Sequence, residues 1–308
     1  MPLRSDIRYR FEFAGLQCLC AALQGLPPLW SLAIGKKAGS LMRLFLPDRI
    51  QLAHKNLRRA FGDSLTTAQR TAIIDNLLQL LGQAFIESVI FKPEDVARNI
   101  TIDGREHLEH AIASGSGVIF LVPHFGMWEL ASFTFGACLH EASVIYKPLK
   151  NPYVDRALIT ARQKSGLELI PSKQALRRVI GNLKKGRAVG ILFDQNAGRA
   201  GVPATFFGIT ASTYAAPAVF ALKTGCPVLP AYMIPDTGFR RHRLVIGKPF
   251  PLLSSGNKDH DVLANTQQYN DFLEALVRQH PELWFGWLHN RWKLPRSFAR
   301  TEEEIQGK

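Results

Sequence analysis

From about residue 100 onward the chain alternates between two hydrophobic periodicities, and this alternation restricts its fold more than any other feature. Apolar runs of strand length lie at 117–122 (GVIFLV), 143–146 (SVIY), 188–193 (AVGILF), 227–234 (PVLPAYMI) and 242–247 (HRLVIG). Helical patterns at 128–140, 152–165, 173–185 and 212–224 fill most of the gaps. Strands separated by helices predict an α/β architecture: a mostly parallel central sheet flanked by helices. Residues 1–95 read as helical instead. Within them, Thr67 to Ile90 carries Ile73, Leu77, Leu80, Leu81, Phe85 and Val89 at helical spacing, with Thr66 or Thr67 placed to cap it.

In a parallel sheet the chemistry gathers at the carboxyl ends of the strands. The first run ends there in Pro123-His124-Phe125-Gly126-Met127-Trp128-Glu129. A neutral imidazole can take the proton of a hydroxyl, and a carboxylate can fix its tautomer and stabilise the imidazolium. Positions i and i+5 of one regular helix lie about 140° apart, so His124 and Glu129 would not meet within one. They can meet if His124 sits in the turn and Glu129 in the first turn of the next helix, with Gly126 giving the turn its freedom. Asp194-Gln195-Asn196 follows the third run in the same way, so both polar clusters are expected on one edge. There is no G-x-S-x-G elbow, and no cysteine lies beside the histidine motif, so no activated enzyme nucleophile is apparent.

Charge points to anionic partners. The net charge is +13, and residues 147–187 hold eleven Lys/Arg against only Asp155 and Glu168. That stretch follows the second strand and is expected near the catalytic edge, where it suits a phosphate-rich ligand or an acidic protein surface. A basic nucleic-acid-binding protein is the alternative from a different class, but no recognisable binding module appears. The four cysteines, Cys18, Cys20, Cys138 and Cys226, read as buried apolar residues of a reduced compartment. Cys18-x-Cys20 has no matching Cys/His pair, so no metal site is expected.

At the N-terminus, the apolar stretch Phe11–Trp30 is interrupted by Glu12, Gln17, Gln24 and Pro27-Pro28. The next, Trp30–Leu46, contains Lys36, Lys37 and Arg43. Neither is the ~20-residue uninterrupted apolar span that a bilayer core requires. They suit a helix lying in the membrane interface or a marginal anchor, with Arg4, Arg8 and Arg10 on the cytoplasmic side. No cleavage site marks a secretory signal. Residues 1–48 are therefore expected to be a membrane-associated helical region and 49–308 the main domain. Trp284, Phe285, Trp287 and Trp292, among His289, Arg291 and Lys293, suit a membrane interface, an anionic pocket or a segment docked on the core.

Taken together, these segments resemble the lipid A late acyltransferases, the lauroyl and myristoyl transferases of Gram-negative bacteria, within the lysophospholipid acyltransferase superfamily. HFGMWE resembles the family's H-x4-D/E motif. Tyr146-Lys147-Pro148-Leu149-Lys150-Asn151-Pro152 resembles its Y-R/K-P-x-x-N-P segment, and Arg162 matches a following arginine. Asp194-Gln195 resembles its D-Q motif, Phe206-Phe207-Gly208 with Ala211 its F-F-G-x-x-A segment, and WFGWLHNRWK its C-terminal signature. Asn56-Leu57 near Arg58 is similar to its N-terminal region. The resemblance implies a glycerolipid-acyltransferase-like fold on the cytoplasmic side of the inner membrane. It implies direct acyl transfer, in a ternary complex, from an acyl carrier protein to a hydroxyl of an anionic, Kdo-bearing lipid A precursor. His124 and Glu129 would be the general-base dyad. Lys147, Lys150, Asn151, Arg162, Asp194 and Gln195 would bind substrate, with no cofactor. An acyltransferase of the same superfamily acting on another glycolipid or a phospholipid is the nearest alternative.

Overall fold

The computed structural model describes residues 3–92, 94–139, 141–237, 240–295 and 298; the Arg4 side chain and the tail of the expected main domain lie outside what is described. Four long helices come first: α1 (Leu3–Gly25), α2 (Pro28–Phe45), α3 (Pro47–Phe61) and α4 (Thr67–Ile90). Proline stands at the first turn of α2 and of α3, where its missing N–H costs nothing and the preceding chain must turn. Thr66 and Gln69 close a reciprocal capping box at the start of α4.

Beyond a short α5 (Asp95–Asn99), strands and helices alternate: β1 (Ile100–Asp103), α6 (Arg105–Ala113), β2 (Val118–Val122), α7 (Trp128–Cys138), β3 (Ser143–Tyr146), α8 (Pro152–Lys164), β4 (Glu168–Pro171), α9 (Ala175–Lys184) and β5 (Ala188–Leu192). A hairpin of β6 (Val202–Phe206) and β7 (Ile209–Thr213) follows, then α10 (Ala216–Thr224), β8 (Val228–Pro235), β9 (His242–Ile246) and α11 (Lys258–Gln279). Seven strands form one sheet in the order β1-β9-β8-β2-β5-β3-β4. All pairs in it are parallel except β8 with β9. The mostly parallel sheet flanked by helices is the expected fold.

Every residue of β2 is buried, because each face of the central sheet is covered. Val118, Phe120 and Val122 face a core with Leu130, Ala131 and Phe135 of α7. Ile119 and Leu121 face a second core with α9, α10, α11, α3 and the C-terminal tryptophans. Three glycines let α2 cross α4 at backbone contact: a methyl added at Gly82 would stand 2.0 Å from the Gly35 carbonyl oxygen, and one at Gly39 2.1 Å from that of Leu78.

Two expectations are corrected. Residues 209–213 are a strand, so the helix expected from 212 begins at Ala216. The φ values of +53° and +70° at Phe207 and Gly208 make the two-residue turn of that hairpin, a left-handed pair that the apolar pattern does not announce. All four cysteines are free, but only Cys226 is buried, since Cys18 and Cys138 lie on outward helix faces. Among the described residues α4 is the one helix long and apolar enough to cross a bilayer, and it packs against α2 and α3 rather than standing at the N-terminus.

Candidate active site

Strand register builds the centre of the site. Val122 pairs with Leu192 across the parallel β2–β5 ladder. Two residues further along each strand stand His124 and Asp194, so the same register, at the usual strand spacing of about 4.8 Å, sets them side by side. His124 N–H donates to Asp194 Oδ2 at 3.0 Å, and His124 Nδ1 lies 2.6 Å from Asp194 Oδ1. An ionised carboxylate only accepts, so Nδ1 carries the proton and Nε2 keeps its lone pair. Trp284 Nε1 donates to Asp194 Oδ2 at 2.9 Å, completing the carboxylate's partners.

Burial would raise the Asp194 pKa, but the His124 charge and hydrogen bonds, with the Trp284 donor, outweigh it and hold the carboxyl below its ordinary range. Burial would likewise lower His124. The charge and hydrogen bond of Asp194, helped by the charge of Glu129, win and raise it above the usual imidazole value.

The turn that carries His124 is clamped from two sides. Gly126 N–H donates to Leu283 O at 2.8 Å, Met127 N–H to Met233 O at 2.9 Å, and Phe285 N–H to His124 O at 2.9 Å. Gly126 has φ +56°, and a methyl there would stand 2.0 Å from Met233 O, so both backbone angle and space require glycine. Trp128 and Phe285 stack at 5.5 Å and flank the His124 ring.

Glu129 lies in the first turn of α7, as its spacing from His124 requires. Its carboxylate, however, receives Nη2 of Arg162 from α8, at 3.0 and 2.7 Å. Glu129 acts on His124 through its charge, and the hydrogen-bonded partner of the imidazole is Asp194. Arg162 Nε is buried without a partner among the described residues. Gln195 Nε2 stands 3.4 Å from His124 Nε2.

Beside the ion pair an apolar slot of about 40 Å³ runs between the sheet and α7, lined by Val122, Trp128, Ala131, Ser132, Phe135, Val144 and Gly190. Phe135 stacks on Phe120 at 4.4 Å behind it, and Leu192, 39% exposed, borders it. Gly190 keeps it open, because a methyl there would meet Val144 Cγ1 at 3.0 Å.

Other expected site residues sit elsewhere. Lys147 and Lys150 lie on an exposed loop after β3. The Asn151 amide is occupied in the structure: its oxygen caps α8 by accepting from Tyr153 and Val154 N–H, and its nitrogen donates to Tyr9 O and Glu12. Of the basic stretch, Arg178 pairs with Glu168 and Arg187 with Glu141. Trp284, Trp287 and Trp292 are buried core rather than a membrane belt. Arg291, 1% exposed, donates to Ser212 O, Thr213 Oγ1 and Asn270 Oδ1, and burial lowers its pKa to about 10. Asn196 Nδ2 donates to the carbonyls of Asn290, Arg291 and Lys293, fastening the same segment from the β5 side.

Residues 3–294 match the family model described as bacterial lipid A biosynthesis acyltransferase. The chain belongs to that family. It is therefore an acyltransferase, and of the residues that carry the family resemblance, His124, Glu129, Arg162, Asp194, Gln195 and Trp284 meet, whereas the 146–152 segment lies apart, with Asn151 bonded to α1. Among similar proteins, a lipid A biosynthesis palmitoleoyltransferase of Escherichia coli K12 is 28% identical over 295 residues, covering 93% of this chain and 92% of that protein. A lipid A biosynthesis lauroyltransferase of the same strain is 26% identical over 297 residues, covering 93% and 92%. A phosphatidylinositol mannoside acyltransferase of Mycobacterium tuberculosis H37Rv is 26% identical over 209 residues, covering 66% and 63%.

The hydrogen-bonded role of Asp194 was missed because H-x4-E places a carboxylate nearer in sequence. The available signal was positional: His124 and Asp194 both stand two residues beyond the end of a buried strand.

Proposed function

We propose that this acyltransferase moves a fatty acyl group from an acyl carrier protein thioester to a hydroxyl of a Kdo-bearing lipid A precursor. The carrying observation is the oriented imidazole: Asp194 holds Nδ1–H, and Nε2 is left as the base. Nε2 takes the acceptor hydroxyl's proton as its oxygen attacks the thioester carbonyl. The tetrahedral intermediate collapses, and the thiolate leaves with the proton returned by the imidazolium. Asp194, itself buried, stabilises that imidazolium. Arg162, whose bonds to Glu129 both come from Nη2 and leave Nη1 uncommitted, is the donor that best suits the oxyanion, whereas the Gly126 N–H that could have served is bonded to Leu283 O. Glu129 holds Arg162 in place. The slot behind Trp128, about 40 Å³ in volume, can receive only the end of an acyl chain, and Gln195, Lys147 and Lys150 are the substrate contacts that remain at the edge.

Membrane attachment at the cytoplasmic face suits α1 and α2. Phe11, Leu29, Trp30, Ile34, Leu41, Leu44 and Phe45 are exposed there, an apolar surface of the kind that inserts at a headgroup boundary. The mycobacterial relatives favour a second reading in which the acceptor is another glycolipid. Purified protein supplied with acyl carrier proteins of varied chain length and a tetra-acylated, Kdo-bearing precursor decides the matter. Acylated precursor is the expected product. Acylation of a mannosylated phospholipid alone would replace this acceptor with that one.

A further inference from the structure

The cations of the catalytic edge fall into two groups. Arg162 is neutralised by Glu129. Arg49, in the first turn of α3, reaches the backbone beside His289 instead; it is exposed, and no carboxylate lies within ion-pair distance of it among the described residues. Its side-chain contact is a donation from Nη1 to Leu288 O at 3.3 Å, which leaves most of its N–H donors free. This arginine is firmly placed: one turn-spaced face of α3 carries Arg49, Ala53 and Asn56, and Asn56 Nδ2 donates to Trp287 O at 2.9 Å and His289 O at 2.8 Å.

His289 comes from the same C-terminal segment. Its ring packs edge-on against Phe285 at 4.8 Å, and Phe285 lies 6.2 Å from His124. Neither ring nitrogen has a hydrogen-bond partner among the described residues. Burial lowers the His289 pKa, and the charges of His124 and Arg49 lower it further, against a smaller opposing effect of Asp194. A partly buried imidazole beside Arg49, and beside a second cation whenever His124 is protonated, with its nitrogens unspent, is short of negative charge, and a bound anion supplies it.

We infer that Arg49 and His289 form an anion subsite beside His124 that takes a phosphate ester of one of the two substrates. The inference rests on the acyl-transfer reading, in which both the sugar acceptor and the carrier-protein arm bring phosphate. A guanidinium fork with a neighbouring imidazole donor matches phosphate oxygens in geometry and charge.

The test has two readouts. Inorganic phosphate is titrated into the full chain while the imidazole resonances are followed, with His289 assigned through His289→Gln. The expected result is a His289 titration moved to higher pH by phosphate, and loss of that movement in Arg49→Gln. In steady-state transfer, Arg49→Gln should raise KM at least fivefold for one substrate with kcat within about threefold, and Arg49→Lys should recover part of the loss. A rise for the lipid acceptor assigns the sugar phosphate; a rise for the acyl carrier protein assigns the carrier arm. Unaltered KM values, or a His289 titration indifferent to phosphate in the folded wild-type chain, overturn the subsite. If wild-type protein transfers no acyl chain from any donor, the acyl-transfer reading fails, while the phosphate titration still decides the subsite.

Discussion

Asp194 and Glu129 both place negative charge near His124, but in different ways. Asp194 touches the imidazole and is sealed from water, whereas Glu129 is divided between His124's field and the guanidinium of Arg162. His124→Ala removes the proposed base and should lower kcat roughly 10²–10⁴-fold with little change in folding. Asp194→Asn should approach that loss, because the amide no longer enforces Nδ1–H, and burial then acts on the ring against only the charge of Glu129. Glu129→Gln should cost less and act through Arg162. The base works only when neutral, and its folded pKa lies above the ordinary 6.5. Transfer should therefore rise with pH through a value above 6.5 and be lost below it. Asp194→Asn should move that acid limb downward, since burial lowers an imidazole pKa. A pH profile of kcat/KM on the three proteins checks this; an equal displacement in Glu129→Gln would return the orienting role to Glu129.

Two elements determine what the site can hold. The slot between α7 and β5 is open because positions 131, 132 and 190 carry small residues, and Phe135 is the bulky side chain of α7 that lines it beyond Trp128. Phe135→Ala should shift the preferred acyl chain longer and Gly190→Val shorter, each read from transfer across a donor series; identical profiles would remove the slot from chain selection. At the α2–α4 crossing, Gly82→Ala forces a methyl onto a carbonyl at 2.0 Å and should cost about 1–3 kcal/mol, seen as a lower Tm.

These elements were unevenly legible in the sequence. Helices α7 and α8 and strands β2, β3, β5, β8 and β9 are long or apolar enough to show through their periodicity. β1 (ITID) and β4 (ELIP) are four residues each and mix polar with apolar side chains, so they pair only because a neighbouring strand, β9 or β3, offers an edge. The β6–β7 hairpin turns on a phenylalanine at positive φ. Phe207 stays there because Phe206, Trp287 and Arg278 pack around its ring and its N–H donates to Glu274. Contacts that distant are not written in a local pattern.

At the scale of the whole molecule, the site is a joint between three distant parts of the chain: the turn at 124–127, the end of β5 and the segment 283–293. The first two could be located from strand ends alone. The third appeared only as a run of tryptophans and cations whose direction, inward or outward, depends on which surface covers it, so a membrane interface and a core remained equal on sequence grounds. Trp284→Phe keeps the ring and removes the donor to Asp194. It should cost about 1–3 kcal/mol of stability, readable as a lower Tm, and ease protonation of the carboxyl, so that activity falls faster on the acid side.

The same joint also gives the enzyme a schedule. A chain emerges from the ribosome at roughly 5–20 residues per second and folds as it emerges. The imidazole and its carboxylate therefore exist well before Leu283, Trp284 and Phe285 arrive to clamp the turn and seal Asp194. Until then the half-made protein carries its base without the means to hold it. Chains that end before Leu283 should therefore lack acyl-transfer activity, which a truncation ahead of that residue would check.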